Sequence, residues 1–485
     1  MAAAGRGDGV GRIPGVHLIS TALEDSVLHG RRDDNRRDRF DDAAGRLLIA
    51  ANRLPPDGEN AVAGGLVSAL RDALPKDPVL WFGCHEERHP GGRRDTAGGG
   101  PLTTKPVALP AVLRERYYRG FCNAALWPIC HGMPQQVRRT SGDVDAYWQV
   151  NRAFAQTIHQ HLRPDDSLWV HDYHLLPLGR CLRERGVERP IGFFLHVPVP
   201  TRYEAQRAPD CLAAFEALGS YDVIGVQTAS DAARLRDYSA KVPIIVAPVG
   251  INAASIQAAA RIGEETVRAP VPRSGVRLLV GVDRLDYTKG LVPRLLSVDR
   301  LLRNFPRYRE KVALVQVVAP CRKGVPGYGE LLRDVRALSQ RINRRWGTSS
   351  WRPLHLHEAA LPREQVAALL GRAEVAIVTP LRDGMNLVAK EYVAAQDPEN
   401  PGVLVLSRQA GAADALSRAR LVNAEDPDDI AAVIDRSLRT PLALRRRDHR
   451  SLLLAVKRNC ALNWHRTLVS ALSESSAALS GKRAL

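Results

Sequence analysis

The chain has 485 residues, of which 45% are hydrophobic and 25% charged, and carries a formal net charge of +17. That length predicts two domains, while no apolar run approaches the roughly 18–20 residues of a membrane span and the N-terminus lacks a signal peptide's apolar core. The charge would suit a nucleic-acid partner, but arginine outnumbers lysine by 60 to 9, is spread along the whole chain, and comes with no zinc-finger, recognition-helix or RNA-binding aromatic pattern; anionic small substrates explain it as well.

Residues 1–45 are rich in Gly, Asp and Arg and include the mixed-charge run RRDDNRRDRFDD. Such a segment cannot bury enough apolar surface to offset its ordering entropy, so a disordered N-terminal extension is expected, with a partner-binding arm as the alternative. Order is expected from GRLLIAANRLP. Leu47–Ala51 reads as a buried strand, and Asn52 to Gly65 as a loop rich in Pro and Gly. SLWVHD (167–172), IGFFLHV (191–197) and YDVIGVQ (221–227) are further apolar runs, with a helical pattern at HLLPLGRCLRERG (174–186). Strands alternating with helices predict a parallel sheet covered on both faces, here over 46–250.

The layout restarts over 251–455. VRLLVGV (276–282) is a predicted strand and GLVPRLLSVDRLLRNF (290–305) a helix, with Leu291, Leu295, Val298 and Leu302 as its apolar face. VALVQVV (312–318), AEVAIVT (373–379) and GVLVLS (402–407) continue a second sheet. Residues 456–485 are expected to form a helix returning toward the first domain, and a tail. The fold class is therefore α/β, two Rossmann-like domains facing a cleft, with ligands at the carboxyl ends of strands. Seven cysteines lack any C-x-x-C spacing, which argues against a disulfide framework or structural zinc and fits reduced thiols in a cytosolic protein.

The candidate chemistry sits in the loops after those strands. GVDRLDYTKG (281–290) places Arg284 and Lys289 where both can meet one anion at a helix N-terminus; the bland alternative pairs them with Asp283 and Asp286. In PLRDGM, Gly384 allows a tight turn and Asp383 can accept hydrogen bonds from sugar hydroxyls, unless it merely caps the next helix. The N–H groups of Met385, Asn386, Leu387 and Val388 would face the cleft. Glu391, further into that helix, could hold two vicinal hydroxyls or be an ordinary helix carboxylate. In WVHDYHLLP, His171, Asp172 and His174 suggest a metal, but the spacing does not fit one helix face and no third ligand is evident; Asp172 as acceptor for a substrate hydroxyl reads better. His196 ends a strand before two prolines. Arg53, Tyr118, Trp127 and Arg322 lie at expected loop edges and together suit a phosphate monoester.

Six motifs in order, NRLP…AGGL (52–66), YYRGFCNAALWP (117–128), WVHDYHLLP (169–177), FFLHVPVP (193–200), VDRLDYTKG (282–290) and LRDGMNLVAKEYVAAQ (381–396), resemble the trehalose-6-phosphate synthase family. The resemblance covers roughly 46–475. It implies a glycosyltransferase B fold and retaining glucosyl transfer from UDP-glucose to glucose 6-phosphate, in trehalose biosynthesis and osmoprotection. It implies no cofactor or metal, a cytoplasmic location and a homo-oligomer. Arg53, Tyr118, Trp127 and Arg322 would hold the acceptor phosphate and Asp172 its ring. Gly65 and His196 would border the donor sugar, Arg284 and Lys289 carry the diphosphate, Asp383 bind the transferred glucose, Gly384 to Val388 line the donor site and Glu391 clasp the ribose. His196, Arg284, Lys289 and Asp383 are the implied catalytic set. The chain departs from the family pattern at TRYEAQRAPD (201–210) and is shorter than usual between Gln227 and Gly250. A different acceptor such as glycerol 3-phosphate, a related enzyme joining two cyclitols, and a non-catalytic sugar-phosphate sensor are the alternatives.

Overall fold

In the computed structural model the apolar runs become strands that pair only in parallel. The structure describes residues 46–55, 69–70, 73, 79–84, 102–263, 275–321, 324–325 and 327–483, the last eight by backbone alone. The expected extension at 1–45 lies outside these residues, as do Gly65 and Arg322.

The first sheet has seven strands: β1 (Leu47–Arg53), β2 (Val79–Cys84), β3 (Leu102–Val107), β4 (Ser167–His171), β5 (Ile191–Phe194), β6 (Val223–Val226) and β7 (Ile244–Val246). Their spatial order is β3-β2-β1-β4-β5-β6-β7. The second sheet has six: β8 (Arg277–Arg284), β9 (Val312–Ala319), β10 (Leu354–His357), β11 (Val375–Val378), β12 (Val403–Ser407) and β13 (Arg420–Val422), in the order β10-β9-β8-β11-β12-β13. Strand order therefore reverses at β1/β4 in one sheet and at β8/β11 in the other. A crevice opens at the carboxyl ends of strands at such a point, because the connections leave in opposite directions.

Central strands are apolar on both faces, as sheets covered by helices require: β2, β5, β6, β11 and β12 are buried at every residue. The expected helix forms over Leu291–Asn304 and buries all four residues of its predicted face. At 174–186 the outcome differs. A 3₁₀ turn, Tyr173–Leu175, precedes a short helix, Leu178–Arg183. Pro177 separates them, because proline has no N–H to give and restricts the residue before it. The sequence reading also leaves out β3, β7, β10 and β13, edge strands with partly exposed faces, and the buried β2.

Helix Leu442–Arg458 packs on helix Leu387–Ala395 of the second half, and the last helix, Ala461–Arg483, crosses back to β5 and β6. Gly192 in β5 makes room for it: a Cβ there would lie 2.9 Å from Leu472. Among the described residues no helix is long and apolar enough to cross a membrane.

Candidate active site

β8 delivers Arg284 to the rim of the crevice, where its guanidinium stands 5.7 Å from the Trp127 ring. The chain then tightens into the turn Tyr287–Lys289. Asp286 shapes that turn by accepting from Thr288 N at 3.1 Å and Thr288 Oγ1 at 3.0 Å. Gly290, at φ 63°, ends the turn and starts the next helix. Lys289 is thereby fixed, only 8% exposed, with Nζ 2.5 Å from Asp383 Oδ2. The surface pairs considered from sequence do not form as such. Asp283 is buried against Arg294 and Gln316, and Asp286 serves the turn, so Arg284 stays exposed at the rim while Lys289 pairs with Asp383 instead.

The loop after β11 lies directly against that turn, with Leu381 N donating to Thr288 O at 2.7 Å. Asp383 accepts from Lys289 and, at 3.1 Å, from Asn386 Nδ2. Burial pushes its carboxyl up, but the Lys289 ammonium more than offsets this, and the net shift is below the usual carboxylate range. Asp383 is thus a carboxylate at neutral pH and does not cap the helix. The residue before helix Leu387–Ala395 is Asn386, held at φ 71°. Gly384 is not the left-handed residue of the turn. Its hydrogen is needed because a Cβ would lie 2.1 Å from the His196 carbonyl oxygen. Met385 is buried, Leu387, Val388 and Glu391 are half-buried, and the first-turn N–H groups have no intrahelical partner.

The first sheet contributes the opposite wall. Arg53, at the end of β1, is exposed and donates from Nη2 to Tyr118 Oη at 2.9 Å. Tyr118 and Trp127 are not at loop edges. Tyr118 lies in an eleven-residue π-helical stretch, Arg116–Leu126, and Trp127 opens the helical turn that follows. The run RYYRGFCNAAL buries Tyr117, Phe121 and Cys122 on its inner side, which leaves Tyr118 on the crevice side to stack on His174 at 5.8 Å. π-helical turns are rare and often functional. Trp127 Nε1 reaches across to Asp286 Oδ1 at 3.3 Å, so the two halves touch at the turn that carries Lys289.

Asp172 follows β4 at φ 73°, ψ 165°, a conformation that costs a residue other than glycine on the order of 1–3 kcal/mol. It is held by its own N–H on Phe194 O at 2.8 Å and by the His196 N–H on its Oδ1 at 3.3 Å. His196 stands with Nε2 3.2 Å from His171 Nδ1. Burial pushes its imidazole down to about 3, so the ring is neutral at pH 7.

Arg53, Tyr118, Trp127, Asp172, His196, Arg284, Lys289, Asp383, Gly384 and Asn386 thus lie along one crevice, with Glu391 a turn into the helix beside it. Two residues escaped the sequence reading. Arg382 donates to Glu204 Oε1 at 3.1 Å and to Val199 O at 2.8 Å, bridging the two halves. His131 packs on Trp127 at 4.0 Å between ring centroids. Thr201-x-x-Glu204 forms a capping box, a legible signal, but nothing local reveals that Glu204 also meets Arg382. Among the described residues no group of three or more His, Cys, Asp or Glu is placed to hold a metal ion.

The model of glycosyltransferase family 20 matches residues 56–235 and 219–474. The chain is 37% identical over 450 residues to a trehalose-6-phosphate synthase of Enterobacter sp. (strain 638), covering 88% of this chain and 94% of that one. It resembles the crystal structure of an alpha,alpha-trehalose-phosphate synthase (UDP-forming) from Burkholderia xenovorans in complex with glucose-6-phosphate, with TM-score 0.82, 37% identity and coverage of 88% and 100%. A solved structure described as "Trehalose-6-phosphate from E. coli bound with UDP-2-fluoro glucose" is similar with TM-score 0.80, 35% identity and coverage of 88% and 99%.

Proposed function

The chain belongs to glycosyltransferase family 20, and from that premise we propose that it transfers glucose with retention from UDP-glucose to glucose 6-phosphate, giving α,α-trehalose 6-phosphate and UDP. The observation that carries the reading is the meeting of the two sheets' crevices: Trp127, on the acceptor wall, touches the turn that presents Lys289 and stands 5.7 Å from the Arg284 guanidinium at the end of β8. An acceptor phosphate and a donor diphosphate can then lie on facing walls of one crevice.

Arg284, Lys289 and the N–H groups at the start of helix Leu387–Ala395 supply positive charge for the diphosphate. As the bond from C1 to the diphosphate oxygen breaks, negative charge grows on that oxygen, and fixed donors stabilise it more in the transition state than before it. The diphosphate competes with Asp383 for the Lys289 ammonium, which frees the carboxylate to accept from hydroxyls of the transferred glucose. Glu391 is suited to the ribose. Arg53 and Tyr118 offer donors to the acceptor phosphate, as does Trp127 once its indole N–H leaves Asp286, while Asp172 accepts from the acceptor ring and His196 borders the donor sugar. The acceptor hydroxyl attacks C1 on the face the diphosphate leaves, and its proton passes to the departing phosphate oxygen. Charge from side chains and backbone is the reason to expect no metal requirement. The same reading includes a cytoplasmic site of action and a homo-oligomer, which light scattering on the purified protein would detect.

UDP release measured with UDP-glucose and a panel of acceptors tests the proposal. Glucose 6-phosphate should be used far better than glucose or glycerol 3-phosphate. A preference for glycerol 3-phosphate, or equal use of glucose, would overturn the acceptor assignment and leave the donor site standing.

A further inference from the structure

The backbone of His196 is pinned on both sides. Its N–H donates to Asp172 Oδ1 at 3.3 Å, and its carbonyl lies against Gly384 of the loop that carries Asp383. What remains free is the ring, and the ring meets His171, the last residue of β4, which is fully buried. The last helix closes this spot from behind. Trp464, 2% exposed, stands edge-on to His196 at 5.7 Å and to Phe194 at 5.2 Å, and 5.0 Å from Trp169.

We infer that His171 is a positioning residue for the glucosyl transfer: it donates its Nδ1–H to His196 Nε2, which places the His196 proton on Nδ1 and sets the ring plane, with Trp464 of the last helix as the wall behind both rings. The inference deepens the function proposed above and rests on it.

Two neutral imidazoles share one proton across a 3.2 Å contact, so one ring donates and the other accepts. Both rings are neutral, because burial pushes His196 down to about 3 and His171 well below its ordinary value. The surroundings of His171 decide the direction. Its Nε2 has no partner among the described residues, and neither do the indole N–H groups of Trp169, whose ring is 4.2 Å away, and Trp464, at 6.1 Å. An indole nitrogen can only donate. A ring set among unpartnered donors is better with a bare Nε2, and its proton then sits on Nδ1, facing His196. His465, next along the helix and 5.6 Å from Trp169, also has an unpartnered Nδ1 and, being neutral, can either give or accept. Nothing in this arrangement requires His171 to touch a substrate. It acts through His196.

Two measurements test the inference. The first is the ¹⁵N spectrum of histidine-labelled protein, with His196 assigned by loss of its signal in His196→Gln. His196 should be the Nδ1–H tautomer in the wild type and should lose that bias in His171→Leu. The second is kinetic. His171→Leu should lower kcat about tenfold, the scale of one lost hydrogen bond, with KM for UDP-glucose within about twofold. His171→Asn, whose amide can donate from nearly the position of Nδ1, should recover to within about threefold of wild type, whereas a purely space-filling role would favour leucine. A wild-type His196 protonated on Nε2, or a folded His171→Asn no better than His171→Leu, overturns the inference. If a variant does not fold, the wild-type tautomer decides alone. If the wild type releases no UDP with glucose 6-phosphate, the proposed function fails and the tautomer measurement still decides the role of His171.

Discussion

Lys289→Ala removes the cation that holds Asp383, and the structure separates its effect on stability from its effect on turnover. The two side chains are 2.5 Å apart and only 11% and 14% exposed. Breaking a buried pair from one side leaves an uncompensated charge and costs about 3–5 kcal/mol. The residual exposure and the remaining bond from Asn386 reduce that to about 2–3 kcal/mol. Asp383→Asn added to Lys289→Ala removes the stranded charge and should restore much of the stability. Turnover should behave differently. Lys289 is proposed to meet charge that grows on the diphosphate, and losing one such fixed partner costs about 10²–10³-fold in kcat; the second substitution should recover none of it. The pH dependence has a definite sign. The folded-state pKa of Asp383 is depressed, so the pair's stability is present above the unfolded carboxylate value of about 3.9 and lost as pH falls through the folded value. In Lys289→Ala burial acts on the stranded carboxyl without the cation and raises its folded pKa, so the deficit should be full near neutral pH and shrink as pH falls through that raised value. Thermal melts across that range and UDP-release kinetics on the two variants provide the comparison. Near-normal turnover in Lys289→Ala, or turnover restored in the double variant, would refute the reasoning.

Three further outcomes are expected. Gly384→Ala drives a methyl into the His196 carbonyl, a 2.1 Å approach, and should cost about 1–3 kcal/mol in a melt and raise KM for UDP-glucose; an unchanged KM would contradict the close packing. Lys390 donates to Val249 O at 2.6 Å, and burial pushes its ammonium down to about 7. Its folded pKa lies below its unfolded value, so the burden of the buried charge is full below about pH 7 and fades toward about pH 10. The wild-type melting temperature should accordingly gain on Lys390→Met as pH rises from 7 to 10, and parallel curves would count against it. Activity should survive exhaustive chelation, since side chains and N–H groups are proposed to carry the leaving-group charge; loss in EDTA with rescue by a divalent cation would overturn this.

Local patterns announce the fold class and name most of the candidate residues that the structure brings to the crevice. Leu47–Ala51, VALVQVV and GVLVLS read as buried strands, because runs of β-branched and aliphatic residues of that length fit a sheet covered on both faces. The helix at 290–305 is legible from apolar residues at the helical period, and the loop GVDRLDYTKG from charged and glycine residues at a strand-to-helix junction, both short-range signals. Six motifs in order identified the family's candidate residues, from Arg53 to Glu391. What sequence could not supply was who faces whom. Lys289 and Asp383 are 94 residues apart and pair only because β8 and β11 are neighbours in the sheet. The pairing of Arg382 with Glu204, of Trp127 with Asp286 and of His196 with His171 equally depends on how strand ends and the two halves are brought together. Gly384 looked like a turn residue, yet it is glycine because another chain segment passes too close for a Cβ. Trp464 gave no functional signal at all, since its meaning lies in the last helix crossing back over β5 and β6. Periodicity records which face of an element is buried, whereas contacts between distant segments are set by strand order and packing, and these exist only in the folded chain.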